Sequence, residues 1–235
     1  MKKIRYRTLL PVYLVIMGGF FLLAVGGSRA VTVLSENVHF DVGKIIVIDA
    51  GHGGEDGGAT SCTGILESQF NLEIAERLND LFHLLGIHTK MIRQTDCSIY
   101  TTGETLSQKK ISDLRERVRI VNSFADCILI SIHQNHFSDS KYSGAQVFYA
   151  PTQGSKELAE VLQQGFVRAV NPGSHRQIKK ADGIYLMQQI TAPGVLVECG
   201  FLSNPQEEYN LRSKTYQQKL CAVIACAVSN HVFGS

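Results

Sequence analysis

The sequence predicts an α/β fold: a doubly wound, mostly parallel sheet flanked by helices on both faces, in a single domain. Three observations lead there. Short β-branched stretches such as Lys44 to Ile48 and Asp126 to His133 are near-continuous apolar runs, the pattern of strands buried on both faces. Between them lie longer segments whose apolar residues recur three and four apart, as in helices packed on a sheet. The two kinds alternate along the chain, the order that a parallel α/β sheet needs.

Residues 1–30 precede this pattern. MKKIRYR is basic, and Leu9 to Gly27 then runs for 19 residues without a charge. That length suits a membrane anchor or an export signal. The charge order would keep the N-terminus inside and send the body across the membrane. Residues 31–43 read as a polar linker, and residues 44–235 as the folded domain.

Lys44 to Ile48 opens the domain as a strand and stops at Asp49-Ala50-Gly51-His52-Gly53-Gly54. After a loop, Glu67 to Leu85 reads as a helix, with Phe70, Ile74, Leu78, Leu81 and Leu85 on one side and Gly86 as its stop. Ile87 to Arg93 is a strand. Gln94 to Lys110 is polar and reads as an exposed loop. A helix from Ser112, its expected N-cap, to Ala125 turns Leu114, Val118 and Val121 inward; most of Arg115, Arg117 and Arg119 are expected in solvent. Asp126 to His133 is the next strand, and Gly144 to Ala150 another. Ser155 to Val170 is a helix, and Pro172 to Asp182 a basic loop with His175, Arg176, Lys179 and Lys180. Gly183 to Ile190 reads as a strand, Val195 to Cys199 as the last one. From Pro205 the chain is helical, ending in Tyr216 to Val232.

Composition narrows the function. The formal charge is +2, but residues 1–30 hold five basic residues and no acid, which leaves the remainder at −3. A mildly acidic body is a poor surface for phosphate neutralisation, so nucleic acid is excluded as a partner. The six cysteines form no CxxC pair, so neither a zinc ribbon nor a thioredoxin motif is supported. The absence of tryptophan speaks against aromatic platforms for stacking sugars.

Open α/β sheets bind ligands at the C-terminal edge of their strands. His52 follows the first strand, His133 ends the third, Glu198 ends the last, and Glu67 begins the first helix. The topology therefore brings two imidazoles and two carboxylates to one rim. Two histidines and a carboxylate suit a catalytic zinc, with a further carboxylate as general base, and this predicts amide or ester hydrolysis. Taken singly, each residue has a plainer reading. His52 could be a loop residue, Glu67 a favourable charge at a helix start, His133 a hydrogen-bonded core histidine. Glu198 is the exception, because a lone carboxylate in GVLVEC is costly to bury unpaired. Glu55 and Asp56 are rival ligands near His52; His83, His88 and His136 read as surface residues.

Four ordered motifs, DAGHGG at 49–54, ESQFNLEIA from Glu67, SIHQN at 131–135 and VECGFLSNP at 197–205, resemble the zinc N-acetylmuramoyl-L-alanine amidases of the amidase-3 family. The resemblance spans about residues 44 to 233. It implies one Zn²⁺ per chain on His52, Glu67 and His133, and Glu198 as the catalytic acid–base. Asn135 of SIHQN is a candidate substrate contact. The implied reaction splits the amide between the lactyl group of N-acetylmuramic acid and the stem-peptide L-alanine in peptidoglycan. SGAQVFY and GIYLMQQITAPG further resemble the germination-specific branch of endospore formers. That branch implies spore-cortex processing towards muramic-δ-lactam and, in clostridial relatives, a lipoprotein partner of GerS type. His136 departs from the small residue common at this point in the family. The alternative is a non-catalytic peptidoglycan-binding or scaffold protein that keeps the fold.

Overall fold

A computed structural model describes residues 44–233. The signal or anchor expected over 1–30 and the linker over 31–43 lie outside the described residues. Among the described residues, no helix is long and apolar enough to cross a membrane.

The elements run β1 (Ile45–Ala50), α1 (Glu67–Leu84), β2 (Thr89–Met91), α2 (Leu106–Asn122), β3 (Cys127–Asn135), β4 (Gln146–Tyr149), α3 (Ser155–Ala169), β5 (Lys179–Lys180), α4 (Tyr185–Gln189), β6 (Gly194–Phe201), α5 (Pro205–Leu211) and α6 (Lys214–Phe233). Six strands form one sheet in the order β2-β1-β3-β6-β4-β5. Every pairing is parallel except that of β4 with β6.

Alternation along each strand sorts the core into two layers. Ile46, Ile48, Ile128, Ile130, Ile132, Val195 and Val197 pack with Phe70, Ile74, Leu78 and Phe82 of α1, Leu158 and Phe166 of α3, and Leu220 and Ile224 of α6. Val47, Leu129 and Leu196 face the other way, onto Val121 of α2 and Leu186 and Met187 of α4. Helices thus cover both faces, as the sequence predicts. β2 and β3 lie on opposite sides of β1. The winding therefore reverses at the C-terminal ends of β1 and β3, the crevice where such sheets take ligands.

Three sequence expectations are corrected. The second helix begins at Leu106, well before Ser112, because Thr105 and Gln108 form a reciprocal capping box inside the polar stretch. The Ser112 hydroxyl instead accepts the backbone N–H groups of Thr101 and Thr102. Gly183 to Ile190 contains a helical turn, not a strand: Leu186, Met187 and Ile190 are buried, a spacing that alternation cannot produce. Lys179-Lys180, in the expected basic loop, forms a short exposed edge strand, where lysines discourage further pairing.

Candidate metal centre

His52 follows β1 in the left-handed region, at φ 59°, unusual for a residue with a side chain. The turn that holds it cannot accept bulk. A Cβ on Gly51 would overlap the His133 ring, and one on Gly58 would come within 2.6 Å of Glu67 Oε2 and 2.7 Å of His52 Cδ2. These glycines let the backbone close around three side chains.

His52, Glu67 and His133 each offer a ligand atom, and all three atoms lie within 4.8 Å of one another. His52 Nε2 is 3.3 Å from Glu67 Oε2, and His133 Nδ1 is 3.0 Å from Glu67 Oε1. The two rings stand edge to face, 5.0 Å apart. Glu67 is buried at the first position of α1, and its carboxylate accepts N–H groups from Ala59, Gln134 and Asn71. Asp56, weighed from sequence as a rival ligand, accepts from His52 Nδ1 at 2.9 Å, which fixes the ring and leaves Nε2 turned to the centre. Glu55, the other rival, is exposed and pairs with Lys109 at 2.7 Å.

The electrostatics are those of a site short of positive charge. Burial disfavours a charged His52, but hydrogen bonds to Asp56 and Glu67 outweigh it and push the imidazole up to about 9. Burial likewise opposes ionisation of Glu67, yet His133 and His52 hold it well below the usual carboxylate range. A divalent cation among these donors would replace the shared protons with its own charge.

Glu198 sits in mid-strand on β6 as the register partner of His133 on β3 and of Gln146 on β4. Register partners share a face, so His133, Glu198 and Gln146 form a row across the rim. Burial pushes Glu198 up to about 7, and its Oε2 is sealed from solvent with no hydrogen-bond partner among the described residues. An unpartnered acid beside a cluster of metal-type donors fits a resident cation and a reacting proton. Asn135, at the end of β3, is half-buried, and its carbonyl accepts from Leu202 N at 2.8 Å. His83, His88, His136 and His175 are exposed.

One row deeper lies a feature that the sequence reading missed. Asp49, Ser131 and Leu196 are register partners beneath the rim. Arg117, expected in solvent, is instead buried and ion-paired with Asp49. It also donates to Asp113 at 2.6 Å, Ala50 O at 3.0 Å and His52 O at 2.7 Å. Arg93 is buried too and donates to Ala50 O, Gly51 O and Ser68 O. Two guanidinium groups therefore clamp the carbonyls of the turn that carries His52. The signal was present: Leu114, Arg117, Val118 and Val121 occupy one helical face.

A cavity of about 170 Å³ opens beside His52 and His133, walled by Lys110, Leu114, Leu186 and Leu196. Larger hollows of about 470 and 630 Å³ lie around Arg176 and contain none of these ligand residues.

The model of the amidase-3 family, described as N-acetylmuramoyl-L-alanine amidase, matches residues 46–230, nearly all of the described chain. The chain belongs to this family. It is accordingly an enzyme, a peptidoglycan amidase for the N-acetylmuramoyl–L-alanine link. The family member named germination-specific N-acetylmuramoyl-L-alanine amidase, from Bacillus subtilis, is 40% identical over 183 residues, 77% of either chain. Among solved structures, the CwlD amidase of Clostridioides difficile, determined in complex with the GerS lipoprotein, superposes with a TM-score of 0.78 at 37% identity. That match covers 82% of this chain and all of the other. A second amidase from Clostridium difficile gives 0.70 at 28% identity over 80% of this chain and 96% of the other.

Proposed function

We propose that this amidase is zinc-dependent, is exported across the membrane, and acts on peptidoglycan of the spore cortex, where removal of the stem peptide prepares muramic acid for conversion to muramic-δ-lactam. The observation that carries the zinc reading is the donor set: two imidazole nitrogens and a carboxylate within 4.8 Å of one another, the composition of catalytic zinc sites with an open position. His52, Glu67 and His133 would hold one Zn²⁺. When bound, the ion would polarise the amide carbonyl and bring the pKa of a water towards neutrality.

The remaining chemistry belongs to the chain. Asp56 fixes the His52 tautomer, and Asn71 with the Ala59 and Gln134 amides fixes Glu67; such outer contacts set ligand orientation and basicity. Glu198, across the strand pair from His133, takes a proton from the attacking water and returns it to the departing alanine nitrogen. Asn135 contacts substrate at the same rim. The cortex role is supported by likeness to the germination-specific relative, and a lipoprotein partner by the relative solved with one. Residues 1–30 would supply the export signal or membrane anchor.

The test is mass spectrometry of muropeptides from purified sacculi digested with the protein, with and without chelator. The expected result is free stem peptide with an L-alanine N-terminus, lost on chelation and regained with zinc. Cleavage within the stem peptide, or cleavage indifferent to chelator, overturns the proposal.

A further inference from the structure

The loop between β3 and β4 carries the exposed large aromatic residues Phe137 and Tyr142, 51% and 39% accessible. Their rings touch edge to face with centroids 4.8 Å apart, and Tyr142 in turn stacks on buried Phe201 at 6.3 Å and 27°. An exposed apolar pair would ordinarily be left to move, but this loop is tied down. Phe137 N donates to Ser203 Oγ at 3.1 Å. Asn204 Nδ2 donates to Ser140 O and Tyr142 O at 2.9 and 3.2 Å, while its Oδ1 caps α5. The Glu207 carboxylate accepts from Gly144 N and Phe201 N, which joins the end of the loop to β6. The rings are thus held in place before anything binds, which lowers the ordering cost of binding.

The position is as informative as the rigidity. Phe137 is four residues past His133, so their Cα atoms lie within about 14 Å even if the chain between them is fully extended. Phe201, beneath Tyr142, is three residues past Glu198 and is the register partner of Asn135. The aromatic pair therefore continues the rim on which the scissile bond must sit. That bond hangs from the lactyl ether of a sugar, so the flanking sugars of the strand must pass over the same rim. Pyranose rings present flat C–H faces, which aromatic rings bind while their hydroxyls stay wet.

From this juxtaposition we infer that Phe137 and Tyr142 form a stacking platform for the glycan strand, binding a sugar next to the muramoyl unit under attack. The inference rests on the amidase reading for the location of the bond, and it runs against the expectation drawn from the absence of tryptophan, since phenylalanine and tyrosine also offer a flat ring face. It makes Phe137 a determinant of preference for polymeric strands over isolated muramoyl-peptides.

The test uses the zinc-loaded protein and two probes: peptide-free strands of alternating N-acetylglucosamine and N-acetylmuramic acid, and peptide-bearing strands. Phe137→Ala should weaken binding of peptide-free strands roughly three- to tenfold, the worth of one aromatic contact. Phe137→Tyr should restore it. On peptide-bearing strands the same factor should fall on KM and leave kcat. Strand affinity equal to wild type in Phe137→Ala, with Tyr142→Ala equal as well, overturns the platform; if those variants instead lose a lipoprotein partner, the face is a protein interface. Peptide-free strands contain no scissile bond, so wild type that binds them but releases no peptide from the peptide-bearing strands refutes the amidase reading and leaves the platform standing.

Discussion

Removing the Arg117 guanidinium tests whether the buried ion pair holds the His52 turn. Arg117→Met keeps the length of the side chain and deletes four contacts: the ion pairs to Asp49 and Asp113 and the bonds to the carbonyls of Ala50 and His52. Asp49 is then left buried with Ser131 as its side-chain donor, at 2.7 Å. Breaking one side of a buried pair costs about 3–5 kcal/mol. At about 2–4 °C per kcal/mol for a domain of this size, the melting temperature should fall by roughly 6–20 °C. Asp49→Asn should also destabilise, and the double variant should lose less than the two singles together, with a coupling above about 1 kcal/mol. The pair adds a pH signature. Burial alone would raise the Asp49 carboxyl, but the nearby charges of Arg117 and His133, with hydrogen bonds from Ser131 and Arg117, together outweigh it and hold the folded pKa below its ordinary 3.8. A carboxylate with a depressed folded pKa stabilises fully above its unfolded value and loses that stability as pH falls through the folded one. Wild-type melting temperature should therefore drop in acid below about pH 4, and Arg117→Met should show a shallower drop. Additive single effects, or an unchanged acid slope, would refute the clamp.

Three further outcomes follow from the same geometry. Glu198→Gln should bind zinc as wild type does and lose nearly all turnover, since only the group that carries the proton is removed; substantial activity would dismiss Glu198 as the base. Gly51→Ala should lose zinc affinity and activity together, because its Cβ would overlap the His133 ring; equilibrium dialysis showing normal zinc uptake would contradict the packing argument. Asp56→Ala should weaken zinc about 10–100-fold by leaving His52 Nδ1 without its carboxylate acceptor, read by competition with a chromogenic chelator, and wild-type affinity would remove Asp56 from the site.

The rim is legible because polar residues interrupt or follow otherwise apolar runs, although β3 and β6 continue past His133 and Glu198 to Asn135 and Phe201. His52 among glycines, His133 at the close of a buried run and Glu198 inside GVLVEC each conflict with their local pattern, and the topology converts those conflicts into one place. Glu67 was legible from its position at a helix start. What lies beneath was harder to read. Arg117 reads as solvated because Arg115, Arg117 and Arg119 cannot all share one helical face, and its partner Asp49 is 68 positions away in the sequence. The start of α2 was missed because its capping box is built from the same polar residues as the loop before it. β5 and α4 are too short to carry a period; strand pairing with Phe148 and Tyr149 of β4 decides the first and burial with Leu196 the second, not their own composition.

Zinc-dependent catalysis at this rim requires that one cation be held by His52, Glu67 and His133. Elemental analysis of the purified protein after dialysis against limiting zinc measures it directly. One zinc per chain is expected for wild type, and none for His52→Ala or His133→Ala at unchanged far-ultraviolet circular dichroism. A folded wild-type protein that takes up no zinc, or variants that keep it, would contradict the account.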